Sequence, residues 1–303
     1  MKKLTMIACV YILLFTIFTV FGAEKTLMKM SFEEGKVLNY IILQEQSMSQ
    51  ELMGQKIDTT MTSEMGMTMK IEALITEDQA VIVSQYDYIK MNMQFADQLL
   101  SFDSRKPEDD MMDMAEYLTP MIGKELRMTL SSSGEVLEIT GLDEIMNDMP
   151  LGEMREQFSE IFNFEQMMKQ TWSFYPGDPV AIGETWRQKM EMELPYAFTI
   201  DAIYEFTGQD ENYNYLSMNG DMIINMDSNT MGLQMEGMEI TMDFNGEMQQ
   251  EMKVDQKTGW LDQNDSIMDI QGNMMMSYTL GDERETMQMP VSMKILGTMK
   301  RLP

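Results

Sequence analysis

Methionine is the residue type that most clearly suggests a specific chemistry in this sequence, and it accounts for 41 of the 303 residues. Many of the methionines occur two positions apart: Met65, Met67 and Met69; Met91 and Met93; Met190 and Met192; Met274 and Met276; Met287 and Met289. Residues two apart on a β-strand point to the same face, so each group would present neighbouring thioethers on one side of a sheet. Thioethers are soft ligands that suit Cu(I). We interpret these positions first as core filler, because copper sites of exported proteins commonly include histidine, and keep Met-based Cu(I) binding as a minor alternative.

Ligand binding is a third interpretation of the same residues. Methionine is flexible and polarisable, and it is common on adaptable binding surfaces. A sheet face rich in methionine would therefore accept a lipid or another apolar small molecule. The candidate binding residues are Met65, Met67, Met69, Met91, Met93, Phe158, Phe162 and Trp172. This hypothesis fails if the helix predicted over Met154–Trp172 fills the cavity completely.

The composition excludes the commonest catalytic chemistry. The sequence has no histidine and a single cysteine, Cys9, which lies in a predicted leader. Ser-His-Asp catalysis, Cys-His catalysis and ordinary zinc sites are therefore impossible in the mature chain. Paired carboxylates could hydrolyse glycosidic bonds, but among 50 acidic residues a pair arises by chance. We expect no catalytic residue, no metal site, no cofactor and no enzymatic activity.

One short segment has the alternating oxygen ligands of a calcium loop, namely Asp262, Asn264 and Ser266. The glycine and the distal bidentate glutamate of an EF-hand are missing. We therefore interpret the segment as a turn between Trp260 and Ile267.

The formal net charge of −28 limits which molecules the protein can bind. Such a chain repels the phosphates of nucleic acids and the head groups of anionic membranes. We therefore expect no nucleic-acid partner and interpret the charge mainly as a source of solubility. A protein partner is not identified by the sequence.

The N-terminus has the layout of a secretory signal peptide. Lys2 and Lys3 precede an apolar run from Met6 to Phe21, which ends at the small residues Gly22 and Ala23. A retained membrane anchor is the alternative. The favoured interpretation is cleavage after Gly22, which predicts an exported protein, periplasmic or extracellular, without a stable membrane span.

Strict alternation of apolar and polar residues predicts a mainly β fold. The longest such stretch runs from Ile57 to Ile75, and we expect a bend or break near Gly66. Asn219-Gly220 and Asn245-Gly246 have the composition of hairpin turns. Helical spacing is confined to Pro107–Leu118 and to the stretch from Met154.

The predicted fold is an antiparallel, strongly curved sheet or incomplete barrel, in two β halves with a central helical insert. The predicted boundaries are 1–22 for the signal peptide, 23–141 for the first half, 142–178 for the insert and 179–303 for the second half. The halves share a strand–glycine turn–strand cadence, which is compatible with a duplication or with the general likeness of hairpins.

Two short motifs resemble those of an exported bacterial β-rich family of unknown function. They are Pro179-Val180-Ala181-Ile182-Gly183-Glu184-Thr185-Trp186 and Lys257-Thr258-Gly259-Trp260. The resemblance implies strands, a helical insert and a second β half, and it implies no activity. The architecture is also loosely similar to periplasmic lipoprotein carriers, in which a curved sheet binds acyl chains.

The function predicted from the sequence is non-catalytic binding of a hydrophobic ligand or lipid on a methionine-lined sheet face. The alternative is an envelope structural or interaction protein with a packed core. Ligand binding predicts a methionine-lined cavity, whereas the alternative predicts an exposed apolar patch on a strand edge.

Overall fold

The computed structural model describes residues 24–52, 54–95, 98–111, 115–150, 172–192, 196–227, 238–280 and 283–303. These residues form one large antiparallel sheet of twelve strands with few helices, which confirms the predicted fold class. The strands are β1 (Val37–Leu52), β2 (Gln55–Thr76), β3 (Gln79–Phe95), β4 (Gln98–Asp103), β5 (Leu126–Ser131), β6 (Val136–Thr140), β7 (Thr185–Met192), β8 (Tyr196–Gln209), β9 (Tyr213–Asp227), β10 (Met238–Asp255), β11 (Leu261–Leu280) and β12 (Glu283–Arg301).

The sheet consists of two meanders joined through the first and last strands. Its order is β6-β5-β3-β2-β1-β12-β11-β10-β9-β8-β7, and β4 pairs with the far end of β3. The seam between β1 and β12 runs from the Tyr40–Arg301 pair to the Gln50–Val291 pair. The two predicted halves therefore lie in one continuous sheet.

Alternation along the strands gives the sheet two different faces. On β1, Leu38 and Tyr40 are buried, whereas their neighbours Val37 and Asn39 are exposed. We call the face that carries Leu38 and Tyr40 the inner face and the opposite one the outer face. Cross-strand register extends this assignment to every strand, because directly opposed residues share a face.

Helices are short within the described residues. They are α1 (Ala115–Leu118), α2 (Leu142–Asp148) and two 3-10 turns, Pro107–Asp109 and Thr119–Met121. The predicted helix from Met154 lies outside the described residues, apart from Trp172. Among the helices that the structure describes, none is both long enough and apolar enough to cross a membrane.

One end of the inner face is sealed by a segment that we call the N-terminal strap, residues 25–31. Its Thr26 pairs with Val180, the amide of Met30 donates to Ser132 O (2.7 Å), and the amide of Ser31 donates to Thr258 O (2.7 Å). The strap therefore contacts both halves of the chain. Its two methionines, at positions 28 and 30, are buried in the main core.

The segment Trp172–Tyr175 brings the two edges of the sheet together. The Trp186 Nε1–H on β7 donates to Phe174 O (3.2 Å). At the other edge, a Cβ on Gly134, in the turn between β5 and β6, would overlap the carbonyl oxygen of Trp172. Because both edges touch one segment, the sheet curls into an incomplete barrel rather than lying flat.

Two predicted hairpin turns are wrong. Asn219-Gly220 lies inside β9, and Asn245-Gly246 lies inside β10. Both glycines face the inner side opposite large methionines, since Gly220 pairs with Met248 and Gly246 pairs with Met222. A Cβ on Gly246 would lie 3.0 Å from Met222 Cε. The glycines make room for bulky cross-strand neighbours rather than for a turn.

The predicted turn between Trp260 and Ile267 is also wrong. The chain turns earlier, at Lys257–Gly259, and β11 begins at Leu261. Alternation therefore places Asp262, Asn264 and Ser266 along one strand.

Near Gly66 the structure has a register shift instead of a break. β2 continues without interruption, while its pairing with β3 shifts between Gly66 and Met67. The ring of Tyr88 lies where a Cβ of residue 66 would stand. The bulge therefore keeps one long strand in register with the sheet.

Candidate ligand-binding face

Beyond the sealed end, the inner face is free of charge over a large area. Along the described strands β1 to β4 and β7 to β12, the inward positions between the Arg301–Asp262 pair and Glu285 are all uncharged residues. This is notable in a chain of net charge −28. We call this area the methionine face, because methionine is its commonest side chain.

The charges of the same strands lie on the outer face. Lys294 and Asp269 are outward neighbours on β12 and β11, with 3.9 Å between Nζ and Oδ2. Glu45 and Glu64 likewise point outward from β1 and β2. The sheet therefore separates an acidic surface from an apolar one.

The structure brings the five predicted strand methionines onto the inner face. Met69 is 1% exposed and belongs to the core, and Met67 packs against that core. Met65, Met91 and Met93 are half-buried farther along β2 and β3. These five residues therefore lie along a line that leads from the sealed end onto the methionine face.

The predicted aromatic residues do not join them. Trp172 is 3% exposed and packs edge-on against Trp260, with 5.7 Å between the ring centroids. It therefore contributes to the sealed end. Phe158 and Phe162 lie outside the described residues.

Several inward methionines face each other directly across neighbouring strands. The pairs include Met61 with Met93, Met48 with Met293 and Met248 with Met268. Met248, Met268 and Met293 are partly buried and pack against the core. The Gln46 amide donates a hydrogen bond to Met293 Sδ (3.0 Å), so at least one thioether is already used as a polar acceptor.

A band of uncharged polar residues separates the sealed end from these methionine pairs. Its polar members are Ser63, Gln44, Ser266 and Gln250, which lie in one row across five strands with Gly297 of β12 between Gln44 and Ser266. In the adjoining row, Asn264 Oδ1 is buried without a hydrogen-bond partner. The band offers amides and hydroxyls, but no ionised group, beside the methionine face.

A small apolar cavity of about 100 Å³ opens beside Met67 and is lined by residues of α2, β3, β5 and β6. Its apolar lining residues are Met67, Tyr86, Met121, Leu126, Ile139, Leu142, Ile145 and Met146. Burial raises the pKa of Tyr86 above its ordinary value of 10. Lys124 also lines the cavity, and its ammonium is paired with Asp148 (2.5 Å). Sequence reasoning missed Met121 and Met146, because their position depends on how a short helix docks.

The sealed end contains one set of charged groups that borders this face. Arg301 Nη2 lies 3.2 Å from Asp255 Oδ2 and 2.9 Å from Asp262 Oδ1. The Tyr40 hydroxyl donates to Leu261 O (2.9 Å), and burial raises the pKa of Tyr40 well above 10. Arg301 and its two carboxylates therefore link β12 to β10 and β11, and the Tyr40 hydroxyl links β1 to the start of β11.

The two sequence motifs also serve the sealed end. Glu184 accepts from the Ala181 amide (2.9 Å) and pairs with Lys25 of the strap (2.9 Å). Gly259 has φ of +72°, and a Cβ there would overlap the Lys29 carbonyl. Both motifs therefore hold the strap in place and contribute no reactive group.

Within the described residues, no three His, Cys, Asp or Glu side chains are grouped so that they could hold a metal ion. The one calcium-like sequence pattern, Asp262 to Ser266, extends along β11. Asp262 is engaged by Arg301 instead (2.9 Å).

Comparison with solved structures gives low-identity likenesses. A structure of lipid–protein interactions in lipovitellin is 9% identical with a TM-score of 0.48, covering 90% of this chain and 25% of the lipovitellin chain. An outer membrane channel from Pseudomonas putida F1 is 7% identical with a TM-score of 0.22, covering 90% of this chain and 97% of the channel. The translocator domain of the autotransporter NalP from Neisseria meningitidis is 8% identical with a TM-score of 0.21, covering 89% of this chain and 90% of that domain. This chain thus spans about a quarter of the lipovitellin chain.

Sequence comparison gives a more definite result. No curated protein sequence matches the chain. The profile of one family matches residues 77–261, more than half of the chain, and confirms the predicted membership of a family without known activity. The chain belongs to DUF6263, a family of unknown function.

Proposed function

We propose that this protein is an exported, non-catalytic binding protein that holds an apolar chain, such as a lipid acyl chain, against its methionine face. The observation that carries the proposal is the absence of charge from that face in the described strands of a strongly acidic chain. A charged ligand would find no ion-pair partner there. An apolar ligand gains about 25 cal/mol for each Å² removed from water.

The half-buried methionines favour a flexible occupant. An unbranched thioether side chain has three rotatable bonds and adapts to irregular shapes. The uncharged inward track on β11 extends from Ser266 to Met276, roughly 33 Å at the usual rise per residue. A long, narrow ligand fits such a track better than a compact one.

Export and the lack of catalysis are parts of the same proposal. The leader of residues 1–22 supports export. The absence of histidine, together with a single cysteine in that leader, supports a binding role.

The test compares substitutions on the two faces of one strand pair. Replacing both Met248 and Met268 by Gln keeps the side-chain length but adds polar groups at the centre of the methionine face. We expect at least a tenfold loss of affinity for a fluorescent fatty-acid probe, equivalent to about 1.4 kcal/mol. Met275→Gln is the matched control, because Met275 is 40% exposed on the outer side of β11.

Native mass spectrometry of the protein purified from its export compartment supplies an independent readout. A stoichiometric apolar adduct that the double variant lacks would support the proposal. A clean mass at the chain's own weight, with no response to added lipids, would overturn it.

An envelope interaction protein is the second candidate, supported by apolar residues on the outer face. Leu43, Ile267 and Leu296 are each about 40% exposed near the β1–β12 seam. Two of them, Leu43 and Leu296, line a groove of about 340 Å³. If Leu43→Ser and Leu296→Ser abolish a specific protein complex while the fatty-acid probe never binds, this second function replaces the first.

A further inference from the structure

The far end of the methionine face contains a run of thioethers that differs from the rest. Met242 on β10 is directly opposite Met274 on β11, which is directly opposite Met289 on β12, and the backbone register also places Met226 of β9 opposite Met242. In the next row Met276 is opposite Met287. Elsewhere on the described inner face, methionines oppose each other only in pairs.

We propose that Met242, Met274 and Met289 form a thioether site for one Cu(I) ion. This goes beyond apolar ligand binding, because it assigns a soft metal to a separate part of the face. Directly opposed Cβ atoms on adjacent strands are about 4.5–5.5 Å apart. Three flexible side chains from such positions can converge on one point without movement of the backbone.

The surroundings select a soft ion. On β10, β11 and β12, the inward positions of this row carry no carboxylate, hydroxyl or amide that would attract Ca²⁺ or Mg²⁺, which require oxygen ligands. The sequence has no histidine to recruit Zn²⁺ or Cu²⁺. Cu(I) is the biological ion that thioether ligands favour.

The exposure of the three side chains fits a site that an ion can enter. Met289 is 7% exposed, whereas Met242 and Met274 are half-buried. The Met289 thioether therefore lies at the base of the site, and those of Met242 and Met274 remain accessible to solvent.

A single carboxylate lies at the end of this region that is farthest from the sealed end. Glu285 lies on the inner side of β12, two residues beyond Met287, and accepts a hydrogen bond from the Tyr278 hydroxyl (2.6 Å). Its charge attracts a cation toward the thioethers.

The test is a titration of the mature protein with Cu(I) under reducing, anaerobic conditions, in competition with a chromophoric Cu(I) chelator. We expect one ion to bind, and M242L/M274L/M289L to weaken binding at least a hundredfold. Met→Leu nearly conserves volume, so the variant should fold. The control M65L/M190L/M299L removes three inward methionines that each have an isoleucine opposite them, and it should bind as the parent does.

A second measurement uses the unaltered protein. Ag(I), a closed-shell substitute for Cu(I), should protect Met242, Met274 and Met289 from oxidation by peroxide, while Met65, Met190 and Met299 stay reactive. X-ray absorption of the Cu(I) form should show sulfur neighbours alone. No binding by the parent, unchanged binding by the triple variant, or a first shell of nitrogen or oxygen would each overturn the proposal.

Discussion

At the residue scale, the positions that tolerate no side chain are those where two chain segments meet. Gly259 is the clearest, because its φ is +72° and a Cβ would overlap the Lys29 carbonyl of the strap. Gly183 also has a positive φ (+86°), but the space around it is open. Comparing substitutions at the two glycines therefore separates the destabilisation caused by backbone strain from that caused by steric overlap.

We expect Gly259→Ala to lower the free energy of unfolding by about 3–4 kcal/mol, since it combines left-handed strain with a clash against backbone. Gly183→Ala should cost only the strain, about 1–2 kcal/mol. Urea unfolding followed by tryptophan fluorescence measures both. Equal losses in the two variants would mean that the strap does not press on Gly259 as described.

Alternation in the sequence was enough to predict which methionines share a face. Met65, Met67 and Met69 follow a strict period of two, and the structure places all three on the inner side. The sequence could not predict that Met69 is buried while Met65 is half-exposed. That difference depends on distance from the sealed end, which is built from residues remote in the chain.

At the scale of elements, the N-terminal strap is held by two exposed ion pairs as well as by backbone hydrogen bonds. Lys25 pairs with Glu184 (2.9 Å), and Lys29 pairs with Asp78 (3.1 Å). The hydrogen bond from Lys25 lowers the pKa of Glu184 below 4.5, and that from Lys29 lowers the pKa of Asp78 below 3.8. Acid should therefore loosen the strap.

A carboxylate whose pKa is lower in the folded state stabilises that state above its unfolded pKa, and the contribution disappears as the pH falls through the folded pKa. We thus expect the strap to lose hydrogen-exchange protection modestly as the pH falls below about 4.5. The amides of Thr26, Met30 and Ser31 report it, because each donates to another segment. In D78N/E184Q the protection factors should be lower at neutral pH and insensitive to this range; a parent-like pH profile would contradict the prediction.

Glycine with a positive φ marks a turn, whereas glycine inside a strand makes space for a neighbouring side chain. Gly54, between β1 and β2, has φ of +77°. Asn219-Gly220 and Asn245-Gly246 have the same composition as turns but lie inside strands. A single sequence cannot distinguish the two uses, since the bulky neighbours that require Gly220 and Gly246 come from adjacent strands.

At the scale of the whole molecule, the two halves share one core. The main cluster includes Leu130 and Val136 from the first half, and Ala202 and Phe206 from the second. The strap and the Trp172–Tyr175 segment contact both halves. The molecule should therefore unfold as one unit.

All three tryptophans, at positions 172, 186 and 260, lie outside the first half and report on the rest of the chain. Leu130→Ala, at a fully buried position of β5, should destabilise the protein by about 3 kcal/mol and lower the tryptophan Tm by several degrees. Leu137→Ala is the control, because Leu137 is 42% exposed on the adjacent strand. If circular dichroism shifts and the tryptophan transition does not, the halves are separate folding units.

The seam between β1 and β12 has a consequence for biogenesis. β1 is the first of the strands to be synthesised, whereas its partner β12 is the last strand that the structure describes. Until β12 emerges, the nascent chain holds two half-sheets with unpaired edges, which can pair with other chains. Such distant pairing is slow to form. A product truncated before residue 283 therefore lacks the seam, and its β1 keeps an unpaired edge that is open to proteases, to chaperones and to pairing with other chains.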